Sequence, residues 1–107
     1  MGWKRGHHPL NEAEARKRVR EIVHADAGII YTGHADEELS KDRIGRADVR
    51  FVLKAGAIVA PPIWNDGRGN WECEVQGPDL DGCRIRIVVG IWEKDEKLVI
   101  ITGYRLE

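Results

Sequence analysis

Five residues in the C-terminal half carry the types that anion binding and proton transfer require: Glu72, Glu74, Arg84, Arg86 and Tyr104. They lie in three stretches rich in β-branched and aromatic residues, 70–76, 83–93 and 97–104, and side chains alternate faces along a strand. On the first, Trp71, Cys73 and Val75 share one face, and Glu72, Glu74 and Gln76 the other. On the second, Ile85, Ile87, Val89 and Ile91 form an apolar face, with Arg84, Arg86, Val88, Gly90 and Trp92 opposite. On the third, simple alternation groups Val99, Ile101 and Gly103, and sets Leu98, Ile100, Thr102 and Tyr104 against them. Turning the apolar faces inward leaves two acids, two guanidiniums and a phenol together on the outer side. A slip of one residue would expose the whole apolar set, so register is strongly specified. Two readings of the cluster stand. One is cross-strand ion pairing on a solvated face. The other is a site with an anion-binding arginine, an acid/base carboxylate and a phenol. On this parity Trp92, Leu98 and Ile100 also face outward, and an apolar patch rimmed by Arg and Glu is typical of a binding surface.

The elements that must position this cluster are legible upstream. Residues 1–10 read as an exposed, flexible arm. Asn11 caps a helix with Glu14 at its third position, and Ala15, Val19, Ile22 and Val23 make one apolar stripe, giving a helix over about 12–27. Its Arg16, Lys17, Arg18 and Arg20 form either a solvated face or a track for a phosphate backbone. Residues 29–32 are a short strand or an extended connector. His34 to Leu39 opens a second helix ending near Asp42. A third begins after the cap Gly45, with Asp48 at its third position, and closes at Gly56. Residues 57–60 read as an edge strand, since Pro61-Pro62 rules out a long central one. The expected fold is α+β: N-terminal helices (11–56) packed on one face of a three- to four-stranded antiparallel meander (57–107), in one domain over 1–107.

Composition bounds the function. Seventeen basic and 18 acidic residues give a net charge of −1, which argues against a uniformly basic nucleic-acid binder but leaves room for a local patch. Two cysteines, Cys73 and Cys83, make neither a disulfide framework nor a four-ligand zinc site. The four histidines, His7, His8, His24 and His34, have no metal-motif companions, so neither metal nor cofactor is expected. No apolar run is long enough to cross a membrane, and the first residues lack the apolar stretch of a secretory leader, so the expected location is the cytoplasm. Trp3 and Trp64 lie outside the regular elements, where packing and base stacking are both open.

The stretch His34-Ala35-Asp36-Glu37-Glu38-Leu39-Ser40-Lys41-Asp42-Arg43-Ile44 resembles the opening of the DUF4258 family: a His-Ala pair, then basic residues, then an Arg before an apolar residue. Asp48-Val49, Val52-Leu53 and Gly56 continue the pattern, as do 85–89 and 99–102. The resemblance spans 29–107 and leaves the first helix outside. Glu38 departs from it, standing where the family usually carries a basic residue. The family in turn looks similar to small bacterial toxins of the RelE and BrnT kind. That likeness implies a RelE-like fold and an RNase-type toxin of a toxin–antitoxin pair, cutting RNA without a metal by general acid/base chemistry. RNA or the ribosome would be its target and a cognate antitoxin its partner. The implied catalytic groups are His34, Glu74, Arg86 and Tyr104; the implied substrate-binding groups are Arg43, Arg84, Glu72 and Lys41. Glu74 or His34 would take the 2′-hydroxyl proton, Arg86 or Arg84 would neutralise the phosphorane, and Tyr104 or His34 would protonate the leaving oxygen. Two other expectations compete: a non-catalytic protein-binding module using Trp92, Leu98, Ile100 and Arg86, and a nucleic-acid binder that does not cleave.

Overall fold

The computed structural model describes residues 10–25 and 28–106. Within them the order is α1 (Glu12–Ala25), β1 (Ile29–Tyr31), α2 (Gly33–Lys41), α3 (Arg46–Ala55), β2 (Ala57–Ile58), β3 (Ile63–Asn65), β4 (Asn70–Pro78), β5 (Arg84–Trp92) and β6 (Lys97–Arg105). The predicted arm, with Trp3, His7 and His8, lies outside the described residues except for Leu10. That residue is buried in the core rather than exposed.

The helices form for the reasons their ends suggest. At α1, the Asn11 backbone N–H donates to Glu14 Oε1 (3.0 Å) and the Glu14 N–H donates to Asn11 Oδ1 (2.8 Å), a reciprocal cap. Ala15, Val19, Ile22 and Val23 are all buried. At α2 the cap is Thr32. Its Oγ1 accepts from the Ala35 N–H (3.0 Å) and donates to the Ile100 carbonyl (3.3 Å), which fastens the helix start to β6. At α3, Asp48 Oδ2 accepts from the Gly45 N–H (3.1 Å), and Val49, Val52 and Leu53 turn inward.

The sheet runs β1-β6-β5-β4-β2, with β3 also pairing β4. It holds six strands, not three or four. The extra members are short. β3 holds Trp64, expected outside the regular elements, and β1, inside the expected helical half, pairs parallel to β6. The β4–β5–β6 core is the antiparallel meander expected. All helices named above contribute to the buried cluster that includes Ile85, Ile87, Val89 and Ile91, each 0% exposed. Burying each such side chain stabilises the fold by roughly 1.5–3 kcal/mol.

On β6 the simple alternation fails. Val89 pairs with Ile100 and Val88 with Thr102, so Ile101 is an extra residue, a β-bulge. Before the bulge, Leu98 and Ile100 lie across from Ile91 and Val89 and are wholly buried. Their expected outward placement is therefore wrong, and Val99, expected inward, lies across from Gly90 instead. After the bulge Thr102 and Tyr104 return to the outer face, opposite Val88 and Arg86. Four consecutive apolar residues, 98–101, satisfy either parity, so the pattern alone could not reveal the inserted residue.

Gly103 fixes the distance between α2 and this sheet. A Cβ there would stand 2.7 Å from Leu39 Cδ2 and 2.8 Å from Ile87 Cδ1. Only a residue without a side chain lets the helix settle onto β6.

Candidate functional site on the outer sheet face

Arg86 stands at the middle of the outer face, directly across from Gln76 on β4 and from Tyr104 on β6. Its Nε donates to Gln76 Oε1 (3.0 Å), and Nη2 donates to the same oxygen. Its Nη1 donates to Glu74 Oε1 at 3.3 Å. The guanidinium is thus oriented by two side chains of one neighbouring strand. The site is open: the Arg86 and Glu74 side chains are 30% and 39% exposed. Tyr104 is also exposed. A planar cation held at a fixed angle, with a carboxylate on one side and a phenol on the other, can receive an anion and exchange protons with it.

The remaining predicted site residues divide by location. Glu72 shares the outer face, accepts from Asn65 Nδ2 (2.7 Å) and lies 4.0 Å from Arg68 Nη1. Arg84, exposed, stands across from Pro78 at the start of β5, two residues from Arg86 on the same face. His34, Lys41 and Arg43 are not with them. His34 is exposed in the first turn of α2, a helix that packs Leu39 onto Ile87 and Gly103 on the inner face. Lys41, at the end of that helix, pairs with Glu38 (3.1 Å). Arg43 follows in the link to α3, with φ at +56°. The sheet separates these three from Glu74, Arg86 and Tyr104, and among the described residues no hydrogen bond or ion pair joins the two groups. Cys83 sits exposed next to the β4–β5 turn, whereas Cys73 is buried across from Val89, so the two thiols do not meet. Burial, reinforced by Glu72 and Glu74, pushes the Cys73 thiol up to about 12.

A second arginine–carboxylate pair has no counterpart among the sequence expectations. Arg105 Nη1 donates to Asp79 Oδ2 at 2.7 Å. Arg105 also donates from Nε to the Asp42 carbonyl (2.7 Å), from Nη2 to the Arg43 carbonyl (3.1 Å) and from its backbone N–H to Asp42 Oδ2 (2.8 Å). Asp79 Oδ1 accepts from the Asp81 and Cys83 N–H groups (2.9 and 2.8 Å). The hydrogen bond from Arg105 holds the Asp79 carboxyl below the ordinary carboxylate range. This clamp joins the β4–β5 turn, the end of β6 and the α2–α3 link. The left-handed backbone at Arg43 belongs to that link. Asp79 in a turn sequence and a terminal Arg carry no periodic signal, so only their meeting in space reveals them.

Two polar side chains are buried without a hydrogen-bond partner among the described residues: the Asn70 amide, through both Nδ2 and Oδ1, and the Trp92 indole N–H. Asn70 lies flat on Gly90, where a Cβ would stand 2.5 Å from its Nδ2. Trp92 is therefore partly buried rather than an open anchor. Trp64 packs edge-on against Trp71 (centroids 5.4 Å apart), which favours packing over stacking on a ligand.

No helix is long and apolar enough to cross a membrane. No curated protein and no solved structure matches the chain. A family model does match, over residues 31–105, from Tyr31 on β1 to Arg105 at the end of β6. That span takes in the sheet from the last residue of β1 onward, with the Arg86–Glu74 and Arg105–Asp79 pairs, and leaves α1 outside. The chain belongs to DUF4258, a domain of unknown function.

Proposed function

We propose that the chain is an RNase-type toxin of a toxin–antitoxin pair, acting in the cytoplasm on RNA, free or on the ribosome, without a metal. The observation that carries this reading is Arg86, oriented by Gln76 and Glu74 on an open sheet face and set across from Tyr104. In this reading Glu74 takes the proton from the 2′-hydroxyl as that oxygen attacks the adjacent phosphorus. Arg86 stabilises the charge that builds on the phosphorane oxygens. Tyr104 gives its proton to the departing 5′-oxygen, leaving a 2′,3′-cyclic phosphate and a 5′-hydroxyl. Arg84 and Glu72, on the same face, flank the path of the chain. The location of His34 on the other layer leaves the acid and base roles to Tyr104 and Glu74.

The competing reading, a protein-binding module on the same face, loses two of its anchors, because Leu98 and Ile100 point into the core. The test is induced expression in a bacterial host with growth and RNA integrity followed together. Growth arrest with RNA fragments carrying 2′,3′-cyclic phosphate ends, relieved by Arg86→Ala, is the expected result. Unimpeded growth at high levels of folded protein would refute the proposal.

A further inference from the structure

The helical layer carries a second charged surface that the outer-face site does not use. Arg16, Lys17, Arg20 and His24 lie on one side of α1. With Ala13 and Glu21 they line an open groove of about 640 Å³. From Arg16 to His24 is eight residues, about 12 Å at an α-helix's rise. The cations of this helix have separate fates. Arg18 is turned aside to Glu21 (2.8 Å) and Glu93 (3.9 Å), which also occupies the one acid of the groove. Arg20 is held by a hydrogen bond from its Nε to the Lys54 carbonyl (2.9 Å). Among the described residues, no carboxylate pairs with Arg16, Lys17 or Arg20.

In a chain of net charge −1, cations gathered on one helix face, with the groove's acid Glu21 drawn to Arg18, form a local field of mostly one sign. We infer that this face of α1 is a docking surface for the phosphodiester backbone of a single-stranded nucleic acid. A row of flexible and semi-fixed cations with no aromatic side chain among them suits a repeating anion, not a folded protein. The inference is independent of RNA cleavage. α1 packs against the inner face of the sheet, lies outside the family-matched span, and uses none of the outer-face residues.

The test is titration of the full chain with a fluorescent single-stranded RNA of mixed sequence, repeated across a series of salt concentrations. Three backbone contacts give a slope of log K against log salt of about −2. The double variant Arg16→Glu, Lys17→Glu should bind roughly 25-fold more weakly at 0.1 M salt and lose about 1.4 from that slope. Lys94→Glu, a charge reversal in the β5–β6 turn, should bind like the parent. Circular dichroism establishes that each variant is folded. An equally tight single-stranded DNA of the same sequence supports a backbone surface. No binding by the parent, a salt-independent affinity, or unaltered binding by the double variant would overturn the inference. So would a polyglutamate peptide that binds more tightly than the RNA. Growth arrest that persists in the double variant would leave the outer-face proposal standing while α1 is judged by the titration alone.

Discussion

Two arginines bridge this molecule and face opposite demands. Arg105, whose side chain at 31% is as exposed as that of Arg86 at 30%, donates to fixed acceptors: a carboxylate that is 1% exposed, two backbone carbonyls, and a second carboxylate through its own N–H. Arg86 relies on two side chains of the neighbouring strand, both reached through the open face. Removing one member of the first pair strands a buried acid among backbone donors, whereas removing one member of the second leaves groups that water can reach. A buried pair deprived of its partner is costly, and an exposed pair is worth little. The contrast teaches where ligand chemistry has room. A guanidinium already saturated by backbone holds the fold together, and one held loosely by side chains can exchange a partner for a substrate.

The strongest way to break this contrast is at the clamp. Arg105→Ala should lower the melting temperature, followed by circular dichroism, more than any other substitution considered below. Asp79→Ala should act almost as strongly, because three donors lose their acceptor. The double variant should be less unstable than the sum of the two singles, since each single already removes the shared contact. Near-parental melting of Arg105→Ala would mean that the clamp is ornamental and that the two arginines do not differ.

Acid sharpens the same point. Because Arg105 lowers the Asp79 carboxyl below its ordinary value of 3.8, the clamp's contribution is fully present above that value. It disappears as pH falls through the lower, folded value. In urea unfolding, parental stability should therefore drop below about pH 4. The Asp79→Asn variant should start lower at neutral pH and show a shallower acid decline. Parallel curves for the two proteins would remove Asp79 from the account.

Much of this arrangement was readable before any coordinates. The caps at Asn11 and Gly45, the stripe of α1 and the outer grouping of Glu74, Arg86 and Tyr104 follow from spacing alone. What stayed hidden depends on contacts between distant segments. The bulge at Ile101 sits in a run of four apolar residues, where alternation has no contrast to read. Tyr104 faces outward, but Leu98 and Ile100 do not, because one inserted residue resets the parity between them. β1 is too short to announce its parallel pairing. The clamp unites residues 42, 79 and 105, a relation no local pattern encodes. The family resemblance groups His34 with the outer cluster, and the layer that α2 occupies separates them.

Arg86 offers the next, smaller effect on folding. Arg86→Ala should change stability by about 0.2–1 kcal/mol, as for other exposed pairs. If the outer face cleaves RNA, the same variant should lose about 10²–10³ in rate, the usual cost of deleting one donor to a developing oxyanion. Arg86→Lys should restore little of that rate, since an ammonium cannot span Gln76 and Glu74 and still present a planar fork. A stability loss as large as that of Arg105→Ala, or full activity with lysine, would erase the distinction between the arginines.

Glu74→Gln makes the finest cut. Glutamine is close to isosteric and retains an oxygen that can accept from Arg86 Nη1, so folding stability should move by no more than about 0.5 kcal/mol in urea unfolding. Asp79→Asn keeps the same kind of acceptor at the clamp, yet there the lost charge is enclosed and pinned by backbone. The two substitutions are chemically matched and differ only in surroundings. Their difference in stability therefore isolates what enclosure adds to an arginine–carboxylate pair. For cleavage the order reverses: Glu74→Gln removes the group that takes the 2′-hydroxyl proton and should abolish turnover in a protein that melts like the parent, whereas Asp79→Asn should keep its turnover at temperatures where it remains folded. A Glu74→Gln variant that is both stable and fully active would reduce the outer cluster to surface pairing, and Arg86 would then have no more claim to chemistry than Arg105.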